Sequence, residues 1–391
     1  MAKPSEAHDK PGVYESLYAS MSERLSRRLF DQVVAAKTLR PPMSRALGFA
    51  FVIATLVYLI VFLIGLLGIV WLVYGFSNFI FWIGAAICFA LIWFLAPRLP
   101  RAEGAIIARN AYPALYRVFD RVASALNARP VDGIIINEDY NAAYSQVGWR
   151  RKHIVYFGLP YFYALEDQER VAVIAHELAH GVNNDPARGF FLGTAFGMLA
   201  RWHEVLTPDR ELTLGEAGDI FEFLFNISNW ISTIALVALS QIPRFGAWVM
   251  IHLFWHESQR AEYLADYLAT TVSGTNAKIA ALNKAQRGGE RIWPLVQKIA
   301  LGSATFNLFD QLRESARTEI EFFDADAERA RIDSTHPPTK FRTEFLRAHY
   351  VGGAKVIISP TEWAQVDREL QPLQKEIQEK LTERYQRSLY Y

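Results

Sequence analysis

The sequence predicts a mostly helical α+β protein with a small antiparallel sheet, attached to a transmembrane helical hairpin. Three observations lead to this fold class. The stretch from Ala46 to Pro97 contains no Asp, Glu, Lys, Arg or His. Three short β-rich stretches follow near the middle of the chain. Most of the remaining sequence repeats its apolar residues with the period of an amphipathic helix.

The charge-free stretch is long enough for two membrane spans. A helix rises ~1.5 Å per residue and the hydrocarbon core is ~30 Å thick, so one span needs about 20 residues. The polar break Gly75-Phe76-Ser77-Asn78 divides the stretch into Ala46 to Tyr74 and Phe79 to Leu95. The alternative is a buried hairpin of a soluble protein. It is disfavoured because soluble core helices rarely run this far without polar residues.

The charges that flank the hairpin predict its orientation. Basic residues lie on both outer sides of it: Arg24, Arg27, Arg28, Lys37, Arg40 and Arg45 before the first span, and Arg98, Arg101 and Arg109 after the second. The turn between the spans carries no charge, so the positive-inside rule predicts that both flanks are cytoplasmic. The polar residues from Lys3 to Lys10 do not resemble a cleaved signal peptide. A net charge of +1 gives no support for nucleic-acid binding.

The chain is predicted to divide into three parts. Residues 1–45 form a cytoplasmic amphipathic segment, residues 46–97 the hairpin, and residues 98–391 the remaining domain. Apolar residues recur every four positions in the first part, at Val13, Leu17, Met21, Leu25, Leu29 and Val33. This spacing predicts a helix that packs on the large domain or lies on the membrane surface.

Within residues 98–391, the pattern predicts a helix, a small sheet and a second helix. Tyr112 to Leu126 has helical spacing. The strands are predicted at Gly133 to Asn137, Ala142 to Val147 and His153 to Phe157. Glu166 to Val182 is predicted to be helical, with acidic residues in its first turn, where the helix dipole favours them. Residues 223–243 are either a third span or a helical cover near the membrane surface, because they are long and apolar but contain several polar residues.

The second of these helices contains a His-Glu-x-x-His pattern at His176, Glu177 and His180. Residues four apart lie on one helix face, so both imidazoles can bind one metal ion. Glu177 is rotated by about 100° from His176, which makes it a poor ligand but places it beside the open side of the metal. There it can act as a general base that takes a proton from a zinc-activated water.

Two histidines leave a catalytic zinc site one protein ligand short. Glu262 is the candidate for the third ligand. Asp266 follows one helical turn later, and it can accept a hydrogen bond from the far nitrogen of a ligating histidine. Alanines line both helices and permit their close approach. Taken alone, Glu262 and Asp266 are also compatible with an ordinary solvated helix face.

A second pair of histidines, His252 and His256, also stands four residues apart. The position after the first histidine holds Leu253, so this pair lacks the general base of the first. It is interpreted as core or interfacial histidines, with an accessory metal site as the alternative.

Three segments together resemble a known family. They are His176-Glu177-Leu178-Ala179-His180, then Glu262-Tyr263-Leu264-Ala265-Asp266, then Thr335-His336-Pro337-Pro338 with Arg342. The combination is similar to the integral-membrane gluzincins that include HtpX and the CAAX prenyl endopeptidases, metallopeptidase family forty-eight. The resemblance covers about Arg101 to Leu346.

The resemblance implies a zincin-like metallopeptidase domain, one Zn²⁺ per chain, endopeptidase activity and Glu262 as the third ligand. It also implies that His336 lies near the metal, where it could donate a hydrogen bond to the developing oxyanion. The family's substrates are membrane or membrane-associated polypeptides. The similarity to HtpX favours a bacterial inner-membrane protein with a cytoplasmic catalytic domain.

These inferences predict a membrane-bound zinc endopeptidase whose partners are a polypeptide substrate and the lipid bilayer. The strand from His153 to Phe157 leads into the zinc helix, and we expect it to lie at the sheet edge. There Val155 and Tyr156 would bind an extended substrate as an added strand. The rival interpretation is a catalytically silent zinc-binding membrane scaffold, although the base Glu177 is present. A transporter is disfavoured because the two spans contain no ionisable residue.

Overall fold

A computed structural model describes residues 13–35, 44–75, 78–182, 185–207, 220–286, 288–303, 305–318 and 336–389. The chain divides into two compact units. Unit 1 contains residues 1–41, 101–186 and 258–391, and unit 2 contains residues 42–100 and 187–257. The unit boundaries at residues 41 and 101 lie close to the predicted ends of the hairpin. Residues 187–257, which the sequence assigned to the large domain, group with the hairpin instead.

Most of the described residues are helical. The helices are α1 (Val13–Val34), α2 (Arg45–Tyr74), α3 (Phe79–Leu95), α4 (Pro113–Ala125), α5 (Leu159–Tyr163), α6 (Asp167–Val182), α7 (Asp185–Leu206), α8 (Ile220–Ser273), α9 (Thr275–Gln286), α10 (Gly288–Ala300), α11 (Leu308–Thr318), α12 (Thr339–Ala348) and α13 (Pro360–Ser388). The strands are β1 (Ile106–Ile107), β2 (Gly133–Asn137), β3 (Ala142–Val147) and β4 (Lys152–Gly158).

The sheet of unit 1 is mixed, so the prediction of an antiparallel sheet is wrong. Its strand order is β1-β2-β4-β3. β4 pairs in parallel with β2 and antiparallel with β3. The chain from β2 to β3 must therefore cross the end of β4, and it does so at Gly158. A Cβ atom at Gly158 would lie 1.8 Å from the carbonyl oxygen of Asp139, so only glycine fits this crossing.

The core of unit 1 lies between the sheet and the surrounding helices. It joins buried residues of α4, α6 and α13 with Val155 and Phe157 of β4. These side chains are removed from water, which supplies the main favourable term in folding. The core holds α6 along most of its length, because the residues from Glu169 to Ala179 are all buried.

α1 also belongs to unit 1, and it packs on α12. Leu29 and Val33 are buried in a cluster with Tyr263, Phe341 and Phe345. Of the two placements that the sequence left open for this helix, the structure has the packed one for the part whose side chains it describes, residues 24–35.

Unit 2 exposes many apolar residues, although it also has a buried apolar cluster that includes Leu47 and Leu199. Phe49, Phe62 and Val73 on α2 are each 64% exposed. Within the described residues, Arg45–Tyr74 and Ser232–Ser273 are long and apolar enough to cross a membrane, by length and composition only. Phe79–Leu95, the second helix of the predicted hairpin, is apolar and 17 residues long.

Candidate metal centre

α6 carries the His-Glu-x-x-His pattern and is well determined by local sequence. Asp167 and Glu169 occupy its first turn, where negative charge complements the helix dipole. His176 and His180 lie on the same face, with ring centroids 4.9 Å apart. The helical spacing thus brings the two imidazoles into one site, as the sequence predicts.

Glu262 of α8 completes a donor set with these histidines. Its Oε2 lies 3.4 Å from Nε2 of His176, and its Oε1 lies 3.5 Å from Nε2 of His180. Ligand atoms that surround zinc tetrahedrally at 2.0–2.1 Å are separated from one another by about 3.3–3.4 Å. The spacing and the chemistry of these three side chains therefore fit a zinc ion. They are the one such group of metal-binding side chains among the described residues.

Asp266 holds the first histidine in place from behind. Its Oδ1 lies 3.0 Å from Nδ1 of His176, one helical turn beyond Glu262. In metal sites, a carboxylate beside one ring nitrogen of a histidine orients the ring and leaves the other nitrogen for the metal. The position of Asp266 matches that arrangement.

Two buried cations hold Asp266 itself. Arg342 of α12 donates from Nε and Nη2 to the two carboxylate oxygens, both at 2.7 Å, and Nζ of Lys278 on α9 lies 3.0 Å from Oδ1. Burial alone raises the pKa of Asp266, but Arg342 and Lys278 outweigh it and hold this pKa well below its usual range. Burial lowers the pKa of Lys278, and the charge of Asp266 opposes that shift. Asp266 is consequently an anion in the folded protein.

The network also reaches Glu262. Nη2 of Arg342 lies 3.4 Å from Oε2 of Glu262, so one guanidinium contacts both carboxylates of the α8 motif. Burial raises the pKa of Glu262, but His336 and His180 lower it to well below its usual range. Arg342 and Lys278 offset the charges of Asp266 and Glu262, which lowers the cost of burying these two carboxylates.

The remaining predicted catalytic residues lie at the same centre. Glu177 is buried on α6 beside His176 and is not one of the three clustered donors. Nδ1 of His336, which directly precedes the two prolines before α12, lies 2.7 Å from Oε2 of Glu262. The His336 side chain is 49% exposed, so this histidine is accessible to solvent, unlike the buried Glu262 that it contacts.

The predicted substrate strand is not at an edge. β4 pairs with β2 on one side and with β3 on the other, so the expectation that Val155 and Tyr156 lie on an edge strand is wrong. Val155 is fully buried in the core. The hydroxyl of Tyr156 accepts a hydrogen bond from the amide of Glu103 at 3.3 Å. The β-branched and aromatic composition that suggested a substrate strand instead marks the inner strand of the sheet.

The edge strands are β1 and β3, and β3 is the one that pairs with β4. Within the described residues, no strand pairs with its outer side. It also lies against the helix of the metal ligands, because a Cβ atom at Gly181 would come within 2.7 Å of the Tyr144 hydroxyl. β3 therefore offers unpaired backbone groups next to α6.

Sequence reasoning missed two members of the site. Lys278 stands in a helix with no motif, and its Nζ finds Asp266 only in the folded chain. Arg342 belonged to a matched segment but had no assigned partner. The one available signal for Lys278 was a basic residue on the same helix face as the apolar Ala281 and Leu282. That signal does not identify its partner.

A cavity of unit 1 lies away from the clustered donors. It has a volume of about 520 Å³ and opens at the N-terminal end of α6, lined by residues that include Glu166, Arg170, Arg313, Trp363 and Asp367. None of the three clustered donors lines it. The three donors do not need a deep cavity beside them if the substrate binds along a strand edge.

Comparison with known proteins agrees with this geometry. The model of peptidase family M48 matches residues 111–350. The chain is 27% identical over 194 residues to protease HtpX homolog 1 of Saccharolobus solfataricus, which covers 48% of this chain and 59% of that protein. It is 30% identical over 190 residues to a protease HtpX homolog of Desulforapulum autotrophicum, covering 47% and 52% respectively. The chain thus spans between half and three fifths of the length of these relatives. No solved structure matches it significantly.

Proposed function

Because the chain belongs to peptidase family M48, we propose that it is a membrane-bound zinc-dependent endopeptidase. Its substrates are membrane or membrane-associated polypeptides. The observation that carries this proposal is the donor set of His176, His180 and Glu262, whose nitrogen and oxygen atoms lie 3.4 and 3.5 Å apart. That spacing is what a tetrahedral zinc ion requires.

The chain's own residues divide the chemical work between them. Zinc, when bound, polarises a carbonyl oxygen and lowers the pKa of a water molecule towards ~7. Glu177 accepts the proton of the attacking water on its carboxylate and then donates it to the leaving amine. His336, whose side chain is accessible to solvent, donates a hydrogen bond to the oxyanion that develops on the substrate.

The positions of these groups depend on the network behind them. Asp266 orients His176, and Arg342 and Lys278 orient Asp266. Partners of this kind hold a ligand ring in its productive orientation and raise its basicity. The proposal assigns these three residues to positioning and not to contact with substrate.

The substrate strand moves from β4 to β3. An extended polypeptide can add to the free edge of β3 and draw affinity from main-chain hydrogen bonds. The contact between Tyr144 and Gly181 supports this assignment, since it ties β3 to the helix of the zinc ligands. A proline at Gln146 tests it, because the amide of this residue points away from β4 and proline there removes a donor from the free edge. This change should raise KM while zinc content stays near normal.

The apolar exposed helices of unit 2 support a membrane anchor. We assign both flanks of the hairpin, and with them the catalytic unit, to the cytoplasm of a bacterial cell because basic residues border the hairpin. A cysteine at Ser77, in the turn of the hairpin, should react with an impermeant thiol reagent on intact cells. Labelling only after lysis would show that the turn faces the cytoplasm and that the orientation is the opposite one.

The experiment that tests the activity is metal analysis together with casein or peptide cleavage by detergent-purified protein. Glu177→Gln is compared with the wild type. We expect about one zinc per chain in both proteins. Cleavage should fall roughly 10²–10⁴-fold in the variant, the range that general acid–base catalysis contributes. Zinc in both proteins with no cleavage in either would favour the silent scaffold.

A further inference from the structure

The hairpin between β3 and β4 ends in an unusual tip. Residues 148–151 form its turn, which is closed by a hydrogen bond from the amide of Arg151 to the carbonyl of Gly148 at 3.1 Å. Trp149 and Arg150 occupy the two central positions of this turn and therefore point furthest from the sheet. The pairing of β3 with β4 fixes the position of the turn, so these two side chains are held at the end of the hairpin.

Trp149 is the most exposed large hydrophobic side chain among the described residues. It is 88% exposed, whereas the apolar residues of the same hairpin, such as Ile154 and Val155, are fully buried. A single exposed apolar residue needs no explanation in general. An indole held at the apex of a closed turn, away from every core cluster of unit 1, is a different case because it covers nothing in its own fold.

The charge around this indole has one sign. Arg150, Arg151 and Lys152 follow it directly, and all three are exposed. Of the acids packed near the base of the hairpin, Asp132 accepts from the amide of His153 and is paired with Arg129 at 3.4 Å. The tip therefore places the basic side chains of Arg150 and Lys152 beside an exposed aromatic ring.

We propose that this tip is a docking element for an anionic bilayer surface. Tryptophan is enriched at the membrane interface because its ring is apolar and its N–H group is polar. Each Lys or Arg near an anionic leaflet strengthens binding roughly fivefold. The chain also carries helices that can span a membrane, so a bilayer is the charged surface available to it.

The location of the tip gives the docking a use. Tyr144, which lies against Gly181 at the end of the metal-binding helix, is five residues before Trp149 on the same hairpin. At ~3.3 Å per residue, the tip lies roughly 16 Å along the strand from that point. Docking would hold the edge of β3 at a set height above the headgroups, within reach of polypeptides that emerge from the membrane. This use rests on the proposed function, whereas the lipid contact itself does not.

The contact can be measured without any peptidase activity. The full chain, carrying Glu177→Gln and Cys88→Ser, is reconstituted in bilayers of phosphatidylcholine alone or with about 30% phosphatidylglycerol. An environment-sensitive fluorophore is attached at Trp149→Cys or, as a matched control, at Tyr350→Cys, another exposed aromatic of unit 1. We expect a blue shift and quenching by headgroup nitroxides at position 149, only with the anionic lipid. Position 350 should show neither.

Charge reversal then separates the tip from the rest of the surface. Arg150→Glu with Lys152→Glu should lower the equilibrium constant for docking of the tip by about 25-fold or more, from two losses of roughly fivefold each. Arg368→Glu with Lys375→Glu, the same charge change on the exposed face of α13, should leave it unchanged. Hydrogen exchange of residues 148–152 in the unlabelled chain, where Trp149 is intact, provides a second readout. Anionic lipid should slow it.

Two results would overturn the inference. One is an equal fluorescence and exchange signal with and without phosphatidylglycerol. The other is a signal that appears only when polypeptide substrate is added, which would make the tip a substrate contact. Loss of peptidase activity in the wild type with lipid contact retained would refute the proposed function and leave this inference standing.

Discussion

His176 and His180 on α6 and His252 and His256 on α8 share a spacing of four residues, yet their surroundings differ. His176 is buried and held at Nδ1 by Asp266. His252 is exposed, and its Nδ1 lies 2.8 Å from the carbonyl oxygen of Trp248 on its own helix. Its ring lies tilted against that of Trp248, with centroids 4.3 Å apart.

A spacing of four residues between two histidines therefore does not by itself make a metal site. The spacing of four residues is the same in both sequence patterns. Among the described side chains, His176 and His180 meet a carboxylate of a second helix, Glu262, whereas no metal-binding group includes His252. An exposed imidazole bonded to a carbonyl of its own helix is already accounted for locally.

The largest expected effect is loss of the metal itself. His176→Ala, His180→Ala and Glu262→Ala should each remove zinc and abolish cleavage, because three protein ligands are the usual minimum at a catalytic zinc site. Metal analysis of the purified variants checks this. His252→Ala is the matched control, and it should retain about one zinc per chain and its activity. Full zinc occupancy in Glu262→Ala would show that the third ligand is wrongly assigned.

A second prediction concerns the support behind the first pair. Arg342→Met removes the bidentate partner of Asp266 and leaves a buried carboxylate with one cation. Breaking a buried ion pair in this way costs about 3–5 kcal/mol in the free energy of unfolding. Chemical denaturation of the zinc-free protein measures it. Lys278→Met should cost less, since Arg342 and its two 2.7 Å hydrogen bonds remain. The reverse order would mean that Lys278 is the main partner of Asp266.

A smaller effect is expected at Asp266. Asp266→Asn keeps the shape of the side chain but loses the charge beside Nδ1 of His176. Loss of such a partner typically costs about 10–100-fold in metal affinity. Competition with a fluorescent zinc chelator gives the affinity. An unchanged affinity would show that packing around His176 is enough to orient it.

The smallest effect is expected at the second pair of histidines. Leu253→Glu converts the second pair into His-Glu-x-x-His by sequence. We expect the zinc content to stay at about one per chain, because the described part of the chain supplies no third ligand near His252. A second zinc in this variant would show that the motif by itself is enough to build a metal site.

Much of the site could be predicted from sequence because it depends on neighbours within a few helical turns. The helix over 166–182, the paired histidines and Asp266 one turn after Glu262 all follow from a period of 3.6 residues. The charge-free stretch from Ala46 to Pro97 likewise depends on composition alone, since a bilayer selects for length and apolarity.

Tertiary structure decided the rest. β4 was predicted to be an edge strand and is internal, whereas β3 lies at an edge, because strand order depends on which edges are already paired and not on local sequence. Arg342 reaches Asp266 across 76 residues of chain. Lys278 joins them from a helix without any motif. Such contacts form between segments far apart in sequence. Their charges attract one another strongly only once burial has removed the surrounding water.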